Sequence, residues 1–273
     1  MKQLLTKKNL VLLAVIVAVY ALLWGLDSQG MFNRQTKALL VPIGINIILA
    51  VSLNLIVGFL GELSLGHAGF MSVGAYAGCM LTIYADLPMA IELPLAMLFG
   101  GLVAAIFGVI IGIPALRLRG DYLAIVTLAF GEIIRSILNN LSFVGGSGGL
   151  NGIPRYSNYT VVYVMLVITV IVITNLVNSR HGRAICSIRD NKIAAESMGI
   201  PVVYYKLLAF VVAAFFAGIA GVLYGHNLGI LKPSTFDFNK SIEILVMVVM
   251  GGMGNIPGSI IAAFLITVLP EVL

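Results

Sequence analysis

The chain has 273 residues, of which 60% are hydrophobic and 10% charged, with a mean hydropathy of +1.08. A soluble domain carries about 25% charged residues, so a water-soluble globule is excluded: so few charges cannot cover so much apolar surface. The net charge of +5 sits mostly in short stretches between apolar segments and offers no basic face for a nucleic acid.

Lys2, Lys7 and Lys8 precede an apolar run from Asn9 to Leu26. That run is longer than the roughly 7–15-residue core of a signal peptide, and no small-x-small cleavage site follows, which predicts a retained first helix. Further apolar segments lie at 38–60, 70–85, 93–116, 122–143, 160–178, 207–229 and 244–270. A helix that spans a hydrocarbon core of about 30 Å needs roughly 20 such residues, so the expected fold is all-α, a polytopic transmembrane helix bundle with about 8–9 hydrophobic segments, some broken or re-entrant. Residues 1–273 read as a single compact membrane domain. The last segment is interrupted by Gly251-Gly252-Met253-Gly254-Asn255-Ile256-Pro257-Gly258, which predicts a re-entrant turn or a break between two short helices.

Basic residues in short loops favour the cytoplasmic side. A cytoplasmic N-terminus puts Lys2, Lys7, Lys8, Arg117, Arg119, Arg180, Arg183, Arg189, Lys192 and Lys206 inside. Arg34, Lys37, Arg155, Lys232 and Lys240 then lie outside, ten against five. Gly100, Ala104, Gly108 and Gly112 form one stripe of small residues; Ala213, Ala217, Gly221, Gly225 and Gly229 form another, and Gly74 with Gly78 a shorter one. Such stripes let helix backbones approach closely in lipid.

Polar residues inside apolar segments are the candidates for function. Glu132 falls near the middle of the fifth segment with Arg135 on the same face, either lining a solute path or closing an ion pair that holds the bundle. Gly61-Glu62-Leu63-Ser64-Leu65-Gly66-His67-Ala68-Gly69 is too polar and glycine-rich for a lipid-facing helix. It reads as a broken segment at membrane depth or as an ordinary hairpin loop. Asn46 and Asn54 lie about 80° apart on one helix, placed to bond a solute or a neighbouring helix. His67 has no partner at metal-ligand spacing. Cys79 and Cys186 suggest neither a disulfide framework nor a metal site. No nucleophile–base pair appears, so no catalytic residue is assigned and the chain does not read as an enzyme.

Residues 180–206 form the longest segment without an apolar span. Asp190 to Met198 predicts a short helix capped by Asp190 and stopped by Gly199 and Pro201. Its exposed Ala194 and Ala195 would make a knob for another protein's groove; alternatively the segment is an amphipathic connector on the membrane.

Ala194-Ala195-Glu196-Ser197-Met198-Gly199 resembles the E-A-A…G coupling-loop motif of ABC importer permeases. With GRA before it and YYKLLAF after it, the setting resembles the LivM-type permeases of branched-chain amino acid importers. Blocks 61–77, 118–137, 145–154 and 250–263 resemble the same family. The resemblance implies an inner-membrane protein of a prokaryote and a heterodimer with a second related permease. It also implies two ATP-binding subunits that use ATP and Mg, and an external solute-binding protein that docks over loops near 86–92, 145–159 and 231–243. No cofactor is expected on this chain, and no Walker A pattern is present to supply hydrolysis. Arg189, Asp190, Ala194, Ala195, Glu196 and Gly199 are the expected coupling contact with the ATPase. Asn46, Asn54, Ser64, His67, Glu132 and Asn255 are the solute-path candidates. Leucine, isoleucine and valine are the family's default solutes, with urea, short amides and other amino acids as alternatives. A rival reading is an ion-coupled secondary transporter using Glu62, His67 or Glu132. Family members continue past the position of Leu273 with another hydrophobic segment and a basic tail, a pattern from which this chain departs.

Overall fold

The computed structural model describes Gly25 and residues 34–85, 88–115, 118 and 120–272. The expected first helix, apart from Gly25, lies outside the described residues, as do Lys2, Lys7, Lys8, Arg117 and Arg119.

α1 (Arg34–Asn54) runs on into a π-helical turn, Leu55–Leu60. α2 (His67–Ala85), α3 (Met89–Ala115) and α4 (Asp121–Asn140) follow. After two short 3-10 turns and the two-residue β1 (Leu150–Asn151) come α5 (Tyr159–Asn178), α6 (Arg180–Asp190), α7 (Lys192–Ser197) and α8 (Val202–Leu228). β2 (Ile230–Leu231), α9 (Phe238–Gly251) and α10 (Ile256–Val272) complete the chain. The fold is all-α: the strands among the described residues are β1 and β2, which pair antiparallel with Leu150 opposite Leu231. Among the described residues, five stretches are long and apolar enough to cross a membrane: Ala38–Leu60, His67–Ala85, Met89–Pro114, Tyr159–Asn178 and Val202–Leu228. The last predicted segment resolves into α9 and α10, joined by a tight turn at 252–255.

The core forms where small residues permit it. α8 packs between α2 and α3. A Cβ on Gly218 would stand 2.6 Å from the Ala104 methyl, and one on Gly108 would stand 2.9 Å from the Ala214 methyl. The α3 stripe therefore meets α8 at Ala214 and Gly218, while Gly221 and Gly225 press on Met71 and Cys79 of α2. Gly229 is not part of this packing; it caps the end of α8 in a left-handed conformation. The other side of α3 shows Ile91, Leu98, Leu102, Ile106, Ile110 and Ile113 to the surroundings. Apolar outward and small inward is the pattern of a helix solvated by lipid.

The chain between the π-turn and α2 doubles back. Gly61 turns it with φ +75°, residues 61–66 are non-helical, and α2 starts with His67 against Ser52 of α1 at 2.9 Å. Ser52 lies about 12 Å up the axis from Leu60 at roughly 1.5 Å per residue. α2 thus begins inside the bundle rather than at its end.

Candidate functional site

The lobe formed by α6 and α7 is built by two caps. Ser179 Oγ accepts from His181 N at 3.1 Å and Gly182 N at 3.3 Å, starting α6. Asn191 adopts an extended conformation (φ −158°, ψ 103°), and its side chain accepts from Ala194 N at 3.0 Å, starting α7. The expected helix from Asp190 to Met198 is therefore the shorter α7, and Asp190 is not its cap but the last residue of α6. A cap residue must leave helical φ/ψ, and Asn191 does so while Asp190 ends α6 with its carboxylate 2.9 Å from Arg189. Gly199 closes α7 at φ +79°, its N–H donating to Glu196 O at 3.0 Å.

Exposure also differs from expectation. Ala194 is exposed, but Ala195 is 4% exposed and packs inward. The projecting side chains are Ile193 (77% exposed) and Met198 (83% exposed), with Val203 and Tyr204 beside them at the start of α8. The signal for Ile193 and Met198 lay in the sequence as single large apolar residues in a polar segment. Glu196 pairs loosely with Lys192 at 3.8 Å.

The inner side of the lobe grips the first interruption. Carbonyls in the last turn of a helix lack intrahelical donors, and Arg189 Nη1 donates to one of them, Gly58 O, at 3.1 Å. Lys206 Nζ of α8 donates to Glu62 Oε1. Asn54 ties the second interruption to the same place: its Oδ1 accepts from Gly254 N at 2.9 Å and its Nδ2 donates to Ser259 Oγ at 3.0 Å. Asn255 sits exposed in that turn, where its Oδ1 accepts from Gly258 N at 3.3 Å.

A second polar group surrounds the start of α2. Leu65 N donates to Thr127 Oγ1 at 3.1 Å, and Ala68 N to Ser241 Oγ at 3.2 Å. Ser52 Oγ donates to Leu49 O at 2.9 Å, so its contact with His67 requires the imidazole to carry its proton on Nε2. His67 Nδ1 is then an acceptor, and both it and Ser64 Oγ are buried without a hydrogen-bond partner among the described residues. Buried polar atoms rarely stay so. An adjoining cleft of ≈ 10 Å³ is lined by Leu65, Gly69, Gly131, Glu132, Asp237 and Ser241. That is room for about one water and for nothing larger.

Ser64, His67 and Glu132 thus share one neighbourhood, and Asn54 and Asn255 another. Asn46 belongs to neither: its Nδ2 donates to Thr267 Oγ1 at 2.9 Å, and its Oδ1 accepts from Lys240 Nζ at 3.3 Å, joining α1 to α9 and α10. Glu132 accepts from Arg135 Nε at 2.8 Å, and both side chains are half-exposed. Among the described residues, no group of three His, Cys, Asp or Glu side chains converges as a metal site.

Residues 35–273 match the family described as "Branched-chain amino acid transport system / permease component". The high-affinity branched-chain amino acid transport system permease protein LivM of Salmonella typhimurium is 37% identical over 208 residues, covering 63% of this chain and 49% of LivM. LivM of Escherichia coli gives the same figures, 37% over 208 residues with 63% and 49% covered. The permease protein LivH of Salmonella typhimurium is 33% identical over 90 residues, covering 33% of this chain and 29% of LivH. The chain spans about half the length of the LivM relatives, and no solved structure matches it. With its apolar spans, this is a multi-pass membrane protein, and it belongs to the permease family of branched-chain amino acid transport systems.

Proposed function

We propose that the chain is the membrane-spanning permease subunit of an ATP-driven importer that moves leucine, isoleucine, valine or related amino acids into the cytoplasm. It works in the inner membrane of a prokaryote with its N-terminus and the α6–α7 lobe inside. Its partners are a second related permease, two ATP-binding subunits that use ATP and Mg, and an external solute-binding protein. Its relatives LivM and LivH are both named as permease proteins of a high-affinity branched-chain amino acid transport system, which supports a paired permease here.

The observation that carries this reading is the two-sided lobe. Its outer side presents Ile193 and Met198, apolar anchors of the kind that fill a partner's groove. Its inner side is bonded to the first interrupted segment through Arg189, close to where Asn54 of α1 holds the second. ATP binding draws the motor subunits together, the lobe moves with them, and the bundle changes the side to which its passage opens. Such a change needs contacts that differ between two states.

Asn46, Asn54, Ser64, His67, Glu132 and Asn255 are the proposed path residues. Half-exposed charges in the middle of a helix are costly against lipid, so the α4 face bearing Glu132 and Arg135 is turned to water or to the second permease.

Co-expression with neighbouring genes for ATP-binding subunits, followed by reconstitution with the binding protein, tests the proposal. ATP-dependent uptake of leucine that competes with isoleucine and valine is expected, with urea and short amides compared in parallel. Uptake without ATP-binding subunits, driven by a proton gradient alone, would overturn it.

A further inference from the structure

Lys206 of α8 and Glu62, in the stretch that leads into α2, make an ion pair. Lys206 is 2% exposed and Glu62 14%. Such pairs are costly to desolvate and add little net stability compared with apolar residues of the same shape. A pair retained at this depth therefore calls for a role beyond packing.

Its place in the fold suggests one. Glu62 stands directly after the π-turn and Gly61, at the head of the non-helical stretch that carries Ser64 and leads into α2. Lys206 stands in the first turns of α8, immediately after the lobe. α6 and α8 both pack on the π-turn. Arg189 packs against Gly61 and bonds Gly58 O at 3.1 Å, and its Nη1 lies 3.5 Å from where a Cβ on Gly254 would stand. Arg189 thus ties the lobe to the first interruption and lies beside the second, while Lys206 ties the start of α8, next to the lobe, to the first. A π-turn within a long helix is a frequent site of functional distortion, and here Arg189 bonds within it and the Lys206–Glu62 pair lies just after it.

We infer that Lys206 and Glu62 are positioning residues for transport: the ion pair makes the start of α2, with Ser64 and His67, follow the lobe when the lobe moves. Arg189 performs the matching task at Gly58. The inference rests on the importer reading above. It adds that the link is ionic and that it can be cut without detaching the motor.

Removing one partner strands a charge and threatens folding, so the decisive variants are paired. E62Q/K206M keeps the shape and removes both charges. E62K/K206E restores the pair with reversed sign. Each is purified as the whole complex and reconstituted with the binding protein, and solute uptake per ATP hydrolysed is measured beside basal hydrolysis. The neutral double variant is expected to assemble and keep basal hydrolysis while uptake per ATP falls about tenfold, within the usual range of coupling between sites. The reversed pair is expected to recover most of that loss. A neutral variant with normal uptake per ATP would reduce the pair to packing and overturn the inference. Loss of assembly or basal hydrolysis in E62Q/K206M, recovered in E62K/K206E, would also overturn it, since the pair would then serve stability. If the unaltered chain retains no ATP-binding subunit, the importer reading fails as a whole, an outcome distinct from both.

Discussion

His67 Nε2 lies 2.9 Å from Ser52 Oγ, and this contact sets how deep in the bundle α2 begins. Ser52 uses its own proton on Leu49 O, so it receives the imidazole N–H. Ser52→Ala strands that donor in a buried site, which costs about 1–3 kcal/mol. The expected result is a lower melting temperature of the purified protein in detergent. Ser52→Ala/His67→Phe removes both partners and should recover much of the loss, as replacing both ends of a buried bond can be nearly neutral. A double variant no better than the single one would sink this account of the α2 start.

The three-helix core makes an independent prediction. Gly218 faces Ala104 and the backbone of α3 on one side and Gly74 of α2 on the other. Gly218→Val has no room, and overpacking of this kind costs about 1–3 kcal/mol or more. Aggregation on size-exclusion chromatography and a depressed melting temperature are expected. Gly148→Ala is the control, since an added Cβ there meets nothing within 4 Å.

Much of this architecture was legible from residue spacing. The small stripes at 100–112 and 213–225 marked helices that now lie side by side, and the glycine runs at 61–69 and 251–258 marked the two interruptions. Local patterns could not show how the interruptions are held. Lys206 with Glu62, and Arg189 with Gly58, are separated by 144 and 131 positions, and nothing near any of the four residues signals its partner. The cap of α7 was misread for a different reason. Asp190 and Asn191 are both good caps, and only the observed break in φ/ψ at Asn191 decides between them. Ala195 failed as a knob because helical periodicity shows which residues share a face, and here that face points inward.

The cap assignment is testable in solution. Asn191→Ala removes the acceptor for Ala194 N and should destabilise α7 by about 0.5–2 kcal/mol. Faster hydrogen exchange at the amides of 194–198 is the expected readout. Asp190→Asn should leave those amides unchanged; the opposite pattern would return the cap to Asp190.

Ile193 and Met198 should matter to a partner more than to the fold. Both project from the lobe, so Ile193→Ser and Met198→Ser should leave the melting temperature of the isolated chain within its ordinary scatter. If they anchor the ATP-binding subunit, each should weaken its association by about 1 kcal/mol or more, read as lost co-purification or a higher Kd. Equal retention of the motor by both variants would move the contact elsewhere.

Cys186 reports on the same lobe by its chemistry. It lies in α6, outside the spans, and burial pushes its thiol up, with Arg189 opposing the rise and Asp190 adding to it. The thiolate is the reactive form, so a raised thiol reacts more slowly at neutral pH, and its rate keeps climbing to higher pH than that of a free cysteine. In a Cys79→Ala background, maleimide labelling should follow that displaced profile. Asp190→Asn removes a charge that disfavours the thiolate and should speed labelling at pH 7; Arg189→Gln removes one that favours it and should slow labelling. The same thiol tests orientation. If the lobe is cytoplasmic, a membrane-impermeant maleimide should label Cys186 in inside-out vesicles and leave it unlabelled in right-side-out ones. Labelling from the outside would put Ile193 and Met198 beyond the reach of any ATPase and end the importer proposal.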